Sequence, residues 1–70
     1  MDTIDPGTYR HFKGGLYDVI GTARHSETEE VHVVYRPRDD PASLWIRPAT
    51  MWVETVEHEG HLGPRFTRIE

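Results

Sequence analysis

The chain has 70 residues, no cysteine and a formal net charge of −4, from eight Lys and Arg against twelve Asp and Glu. This length predicts a single domain, residues 1–70, and the lack of cysteine excludes disulfides and thiolate metal sites. The acidic balance disfavours nucleic acid as a partner, because phosphate contacts supply most non-specific affinity.

No stretch of the sequence stays apolar for about 18 residues, the length that a membrane-spanning helix needs. The first ten residues, MDTIDPGTYR, are acidic and lack the basic and apolar regions of a signal peptide. We therefore expect a soluble, cytoplasmic protein that does not associate with membranes.

The first third of the sequence has the pattern of a β-hairpin. Residues 1–7 are predicted to be a loose lead-in, and residues 8–13 form the first strand. Gly14-Gly15 tolerates the positive φ angles of a tight turn. The return strand, residues 16–25, contains Gly21, which predicts a bulge or a sharp bend. One face of this strand is predicted to hold Tyr17, Val19, Gly21 and Ala23.

Two further strands follow, each preceded by a polar loop. Residues 26–29 are polar, and residues 31–36 then alternate as a half-buried strand does. Residues 37–43 hold two prolines and two aspartates, which do not fit a central strand. In residues 44–47, Leu44 and Ile46 are predicted to face the core. Trp45 and Arg47 are predicted to project from the opposite face, beside Arg36 if the two strands pair.

The last third of the sequence holds the helical turn and the closing strands. Pro48 favours one helical or 3₁₀ turn over residues 48–51. Extended structure resumes up to a turn at Glu59-Gly60, and residues 64–69 form a last short strand. Trp52 and Phe66 are assigned to the core.

No segment of 10–12 residues keeps a 3.6-residue apolar period, and turn signals recur every 8–12 residues. We therefore predict an all-β fold, a small SH3-like barrel or roll of five to six short strands with one helical or 3₁₀ turn near residues 48–51. Closing the sheet removes the exposed edges that a small domain tolerates poorly.

The strings YRHFKGGLYDV, ARHSETEE, VVYR, LWIRP and PRF together resemble a family of short bacterial proteins, domain-of-unknown-function family 1653. The resemblance runs from about residue 7 to residue 69. It implies a compact, mostly β fold of SH3-like type and no assigned activity. The aspartates in residues 37–43 depart from it, because a more apolar stretch is expected there.

Catalytic and metal sites have weak support in the sequence. The only serines are Ser26 and Ser43, and His25 next to Ser26 points away from it on extended backbone. His58 and His61 flank a turn and are weak candidates for zinc, but a structural site wants four ligands. We therefore predict no cofactor and no catalytic residue, and interpret the two histidines as exposed turn residues.

Aromatic and basic residues that alternate on strands are the strongest candidate for a binding surface. A surface Trp beside an Arg suits stacking on a base, a proline or a partner's aromatic ring. The alternative is that Trp45 covers the end of an undersized core. The predicted ligand-binding residues are Trp45, Arg47, Tyr9, His11, Tyr35 and Arg36.

The first hypothesis for the function is a non-catalytic SH3-like binding module for a protein, a peptide or, less favoured, a nucleic acid. Its rival is a small histidine-centred metal protein or enzyme, with a site at a subunit interface, because so short a protein encloses little volume. A third interpretation makes the exposed aromatics a homodimer interface, so the protein is predicted to be a monomer or a homodimer.

Overall fold

Seven strands and one helical turn make up the computed structural model, which describes residues 4–70. The elements are β1 (Gly7–His11), β2 (Leu16–Arg24), β3 (Val31–Pro37), β4 (Trp45–Pro48), α1 (Ala49–Trp52), β5 (Thr55–His58), β6 (His61–Pro64) and β7 (Phe66–Arg68). The predicted all-β fold is confirmed, and so is the helical turn after Pro48. Within residues 4–70 there is no helix long and apolar enough to cross a membrane.

Five strands form an antiparallel sheet in the order β4-β3-β2-β1-β7, and β5 and β6 form a separate hairpin. The sheet is strongly curled. In a flat sheet the outer strands, β4 and β7, would lie about 19 Å apart, since neighbouring strands are about 4.8 Å apart. Side chains that project from a flat sheet would not meet over that distance, yet the Arg47 guanidinium on β4 lies 5.7 Å from the centre of the Phe66 ring on β7. The two edge strands therefore approach each other across a concave inner face.

A bulge in β2 contributes to this curl. Val19 pairs with Tyr35 and Gly21 pairs with Val34, so Ile20 is an extra residue without a partner on β3. Bulges bend a strand and increase its twist. The predicted bend at Gly21 is confirmed, but the face predicted for Gly21 and Ala23 is wrong, because one extra residue moves every following side chain to the other face.

The core lies on the inner face and is mostly aromatic. The rings of Trp52 and Phe66 stack in parallel with their centroids 3.6 Å apart. The edges of Tyr9 and Tyr35 meet the indole of Trp52 at 5.5 and 4.9 Å. The core assignment of Trp52 and Phe66 is thus confirmed. The buried apolar residues are Ile4, Tyr9, Val19, Val33, Tyr35, Trp52 and Phe66.

The predicted lead-in and strand count need correction. Of the lead-in, residues 1–3 lie outside the described residues. Ile4 is not loose, because it is buried in the core, and β1 already begins at Gly7. The strands described number seven rather than five or six, because the turn at Glu59-Gly60 is followed by an additional strand, β6.

The turn at Glu59-Gly60 is confirmed, and its backbone explains the extra strand. Both residues have positive φ, 52° and 81°, which is typical of the two-residue turn that joins the strands of a hairpin. Gly63 and Pro64 obscured β6 in the sequence, since both residues are uncommon in strands. An isolated hairpin tolerates them, because its outer edges need no ladder partner.

Replacing Gly7 by alanine is expected to lower the free energy of unfolding by about 1–3 kcal/mol, the usual cost of a strained backbone position. Gly7 has φ of 152°, and a Cβ there would overlap the Glu70 carbonyl oxygen and lie 2.8 Å from Arg68 Nε. Urea denaturation of Gly7→Ala would measure the loss. Gly21→Ala is the matched control, since a Cβ at Gly21 has nothing within 4 Å. Equal midpoints for the two variants would contradict the prediction.

Candidate functional site

Trp45 and Arg47 lie on the inner face of the sheet, which corrects the predicted orientation of β4. Tyr35 pairs with Trp45 and Val33 pairs with Arg47, and directly opposed residues of two strands share a face. Val33 and Tyr35 are core residues, so Trp45 and Arg47 face the same interior. Leu44 and Ile46, predicted to be buried, are instead 63 % and 64 % exposed.

The face of β4 was wrongly predicted because apolarity alone does not determine which side of a strand is buried. The alternation itself was predicted correctly, and β3 does pair with β4. On the inner face a guanidinium is tolerated over the π-face of Phe66, because the ring quadrupole attracts a cation. On the outer face Ile46 lies opposite half-buried Val34.

Four residues on the inner face form what we call the mouth cluster: His11, Tyr17, Trp45 and Arg47. Tyr17 is at its centre, with its ring 6.0 Å from Trp45 and 6.3 Å from His11. Below the cluster lie two buried core rings, Tyr35 and Phe66, which are 5.6 and 5.8 Å from Tyr17. Trp45 is 44 % exposed, so the cluster presents a half-covered indole on a rigid aromatic floor.

Arg47 has an unusual environment for a charged residue. Its Nε is buried and has no hydrogen-bond partner. Across the residues that the structure describes, no carboxylate lies within 4.0 Å of its guanidinium. An arginine stays charged at any relevant pH, and a buried donor left unpaired is unfavourable. The contact with Phe66 is the one favourable partner that the described structure gives this cation.

His11 is held in its neutral form beside this cation. Burial lowers the pKa of His11 below its usual value, and the positive charges of Arg47, Arg65 and Lys13 lower it further. The backbone N–H of Lys13 donates to His11 Nδ1 at 3.2 Å. Because Nδ1 accepts this bond, the proton of the neutral imidazole is on Nε2. His11 Nε2 thus adds a hydrogen-bond donor to the mouth cluster without adding charge.

Replacing Arg47 by methionine is expected to raise the pKa of His11 towards its usual value. The change removes one of the charges that disfavour the imidazolium and leaves burial in place. NMR titration of the His11 ring nitrogens in both proteins would measure the shift. Arg24→Met is the control, since Arg24 is exposed and paired with Glu29. An unchanged His11 pKa would show that Arg47 does not influence this group.

The same pKa shift predicts how His11 affects stability with pH. The folded-state pKa lies below the unfolded value, so the unfolded state binds the proton first as the pH falls. The contribution of His11 to stability is complete above about pH 6.5, its unfolded pKa. It declines as the pH falls from there through the folded pKa, and Arg47→Met should flatten this decline.

An open cleft of about 320 Å³ adjoins the mouth cluster and shares Tyr17 with it. Tyr17 pairs with Pro37 across the two strands, and Pro37, Arg38 and Asp39 also line the cleft. Arg38 is firmly held, because its Nη2 donates to Asp18 Oδ1 at 2.8 Å and to Thr8 Oγ1 at 2.6 Å. The hydrogen bond from Arg38 holds the pKa of Asp18 below its usual value.

Two of the predicted ligand-binding residues lie away from the mouth cluster. Tyr9 is 8 % exposed, and its hydroxyl donates to the Asp5 carbonyl oxygen at 2.9 Å. Arg36 follows core residue Tyr35 on β3 and therefore lies on the outer face, where it donates to the Pro41 carbonyl oxygen at 3.2 Å. The structure brings together the other four predicted residues: Trp45, Arg47, His11 and, beneath them, Tyr35.

Tyr17 is absent from the predicted site residues, although it is the central residue of the mouth cluster. The signal was present in the alternation of β2, which placed Tyr17 on the face of Val19. Val19 is 5 % exposed and in the core. A tyrosine two residues before a core valine, at the end of a strand, is placed to line the rim of the inner face.

His58 and His61 face each other across the β5–β6 turn. His58 Nε2 lies 3.1 Å from Glu59 Oε2, and the ring of His58 meets Phe12 at 5.1 Å. These residues line a second open cleft, of about 240 Å³. Among residues 4–70 no three His, Asp or Glu side chains are grouped closely enough to hold a metal ion.

His25 organises the loop that precedes β3. Its Nδ1 accepts from the backbone N–H groups of Glu27 and Thr28, at 3.1 and 3.3 Å. This is a local turn in which the imidazole replaces a backbone acceptor. The side chain of His25 is thus occupied by the loop rather than by Ser26.

Comparison with known proteins agrees with this fold. The family model described as a protein of unknown function, DUF1653, matches residues 7–68. The chain belongs to the DUF1653 family. A DUF1653 protein from Bordetella bronchiseptica has a crystal structure that is 40 % identical, with a TM-score of 0.85 over 94 % of this chain and 87 % of that chain. No curated protein matches the sequence.

Membership of the DUF1653 family confirms the resemblance seen in the sequence, including its extent. The family brings no activity, so the function has to be argued from the mouth cluster itself. The polar loop that departs from the expected apolar stretch is folded on its own side chains, with Ser43 Oγ donating to Asp40 Oδ2 at 2.6 Å.

Proposed function

We propose that this DUF1653 protein is a non-catalytic binding module, with an SH3-like arrangement of its strands, that takes an extended segment of a partner protein at the mouth cluster. The observation that supports this most is Trp45. Its indole is 44 % exposed, lies on an edge strand and is backed by Tyr17 and Tyr35, each at 6.0 Å. Large, half-covered aromatics on a rigid floor are typical binding hot spots.

The position of β4 suits an extended ligand. Within residues 4–70 β4 pairs only with β3, so its other edge can accept an added strand through main-chain hydrogen bonds. Alternate side chains of such a segment would contact Trp45 and Arg47 on the inner face and exposed Ile46 on the outer face. Pro48, which has no N–H, ends this edge.

Three features favour a protein segment over a substrate or a nucleic acid. The cleft beside the cluster is open and near the lower size limit of ligand pockets. His11 is the only imidazole of the mouth cluster, and no serine or cysteine in the cluster accompanies it as a nucleophile. The net charge of −4 repels a polyanion. We place the module in the cytoplasm, because a protein without cysteine forms no disulfides and therefore needs no oxidising compartment.

Replacing Trp45 by alanine is expected to weaken binding at least tenfold while leaving the protein folded. Hot-spot aromatics contribute about 2 kcal/mol or more to binding, whereas a 44 % exposed indole contributes less to the core than a buried one does. Binders would be selected from a random peptide library displayed on phage, and affinities measured on synthetic peptides. Leu62→Ala is the matched control, because Leu62 is 78 % exposed on the separate β5–β6 hairpin.

Several outcomes would contradict this function. If no selected peptide depends on Trp45, or if Trp45→Ala unfolds the protein, the indole is a core residue and the proposal fails. Shifts of residues 32–36 and 45–47 in a ¹⁵N–¹H spectrum with single-stranded oligonucleotides, fading at high salt, would make the ligand a nucleic acid. A zinc-dependent rise in melting temperature that His58→Ala abolishes would favour the histidine-centred alternative. A dimer in light scattering that Trp45→Ala dissociates would make the cluster a homodimer interface.

A further inference from the structure

Arg47 is the one member of the mouth cluster whose charge has no counterpart among the described residues. Its Nε is buried and unpaired, and no ion pair in residues 4–70 involves its guanidinium. Resting on the proposed function, we propose that the bound protein segment carries a carboxylate that pairs with Arg47. The site would thus recognise an acidic side chain or a free C-terminus next to the residue that Trp45 contacts.

Arg65, whose charge reaches His11, and Arg38, which lines the adjoining cleft, already have partners, which makes Arg47 distinct. Arg65 donates to Glu54 Oε1 at 2.7 Å and to the Met51 carbonyl oxygen at 3.1 Å. Arg38 donates to Asp18 and Thr8. A fold that satisfies these two guanidinium groups leaves the third, Arg47, available to a ligand.

The surroundings of Arg47 strengthen its attraction for an anion. Partial burial lowers the local dielectric response, so a charge pair there is stronger than one in water. Arg65 and Lys13 are close enough to lower the pKa of His11 together with Arg47, so the field at the cluster is positive although the protein is acidic. Neutral His11 adds a hydrogen-bond donor at Nε2 without adding charge.

A carboxylate fits this site better than a string of phosphates does. One guanidinium fork matches one carboxylate in a bidentate pair. A polyanion would also meet the acidic remainder of the surface, since the net charge is −4. The adjoining indole of Trp45 and the ring of Tyr17 suit an apolar or aromatic neighbour of the carboxylate.

The first test uses three small probes. Phenylacetate and phenylacetamide have nearly the same shape and differ in charge, and inorganic phosphate is an anion without a ring. Phenylacetate is expected to shift the Arg47 Nε–H and Trp45 indole N–H signals at millimolar concentration, with phenylacetamide at least tenfold weaker. In Arg47→Met the preference for phenylacetate should disappear. Arg24→Met is the control and should keep it, since Arg24 is an exposed arginine in an ion pair.

The second test identifies the source of the carboxylate. Selected peptides would be made with a free or an amidated C-terminus, and with each Glu or Asp replaced by its amide. A tenfold loss of affinity on amidation of the C-terminus would identify a C-terminal carboxylate. A similar loss of affinity for one Glu→Gln change in the peptide would identify a side-chain carboxylate.

Two results would overturn the inference. Peptides that bind Arg47→Met as tightly as the unchanged protein, yet still require Trp45, would leave the binding module standing and remove the carboxylate. Inorganic phosphate that moves the Arg47 signal at lower concentration than phenylacetate would replace the carboxylate by a phosphoryl group. Conversely, a carboxylate-specific shift at Arg47 without any Trp45-dependent peptide would keep the anion site and refute the protein-segment function.

Discussion

Phe66→Ala is expected to remove a large part of the stability of this domain. Phe66 is 7 % exposed and lies between the stacked indole of Trp52 at 3.6 Å and the Arg47 guanidinium at 5.7 Å. The edges of His11 and Tyr17 also meet its ring, at 4.9 and 5.8 Å. Truncating a buried phenylalanine to alanine costs about 3–5 kcal/mol. A 70-residue domain unfolds with about 4–10 kcal/mol in total.

Urea denaturation followed by near-ultraviolet circular dichroism would measure this loss, since the aromatic stack dominates that signal. The urea concentration at the midpoint is expected to fall sharply in Phe66→Ala. If the unchanged protein unfolds with about 4 kcal/mol, the variant is expected to be partly unfolded even without urea. Leu62→Ala should stay within about 0.5 kcal/mol of the unchanged protein, as exposed positions do. A Phe66→Ala midpoint close to that of Leu62→Ala would show that the stack is not the centre of the core.

Strands and turns could be predicted from the sequence because their signals are local. The alternation in β3, the glycine in β2 and the Glu59-Gly60 turn depend on neighbouring residues, and each is confirmed in the structure. The face of β4 could not be predicted in this way, because it depends on the curl of the whole sheet. Only when β4 and β7 approach each other does Phe66 become available to cover the Arg47 cation.

The candidate site was predicted in part for the same reason. Trp45, Arg47 and His11 were selected by residue type. The structure brings Trp45 and His11 together around Tyr17 and places Arg47 over the adjoining Phe66 ring. Tyr9 was selected on the same grounds but lies deeper, against Trp52. Residue type thus indicates which side chains are able to form a binding surface. The register of the strands decides which of them reach the rim.

Arg47→Met is expected to raise the stability of the protein while it abolishes the preference for a carboxylate. A buried donor without a partner costs about 1–3 kcal/mol, and methionine removes it. The lost contact of the cation with Phe66 costs about 0.5–1 kcal/mol, and a sulfur–aromatic contact restores part of that. The difference predicts a gain of about 1 kcal/mol, or roughly 4–8 °C in Tm for a domain of this size.

Thermal unfolding of Arg47→Met beside Arg38→Met would test this gain, because the two arginines differ in their partners. Arg38 donates to Asp18 and Thr8 and forms an ion pair with Asp18, so Arg38→Met removes these interactions and should lower Tm. Arg47→Lys should give a smaller gain than Arg47→Met, because it removes the buried Nε–H but keeps a charge beside the core. A rise in Tm for Arg47→Met and a fall in Tm for Arg38→Met would mean that Arg47 lowers the stability of the free protein. Residues that are positioned for a ligand often do so. A fall in Tm for both would mean that Arg47 stabilises the fold as Arg38 does, and the unpaired cation would no longer support a ligand site.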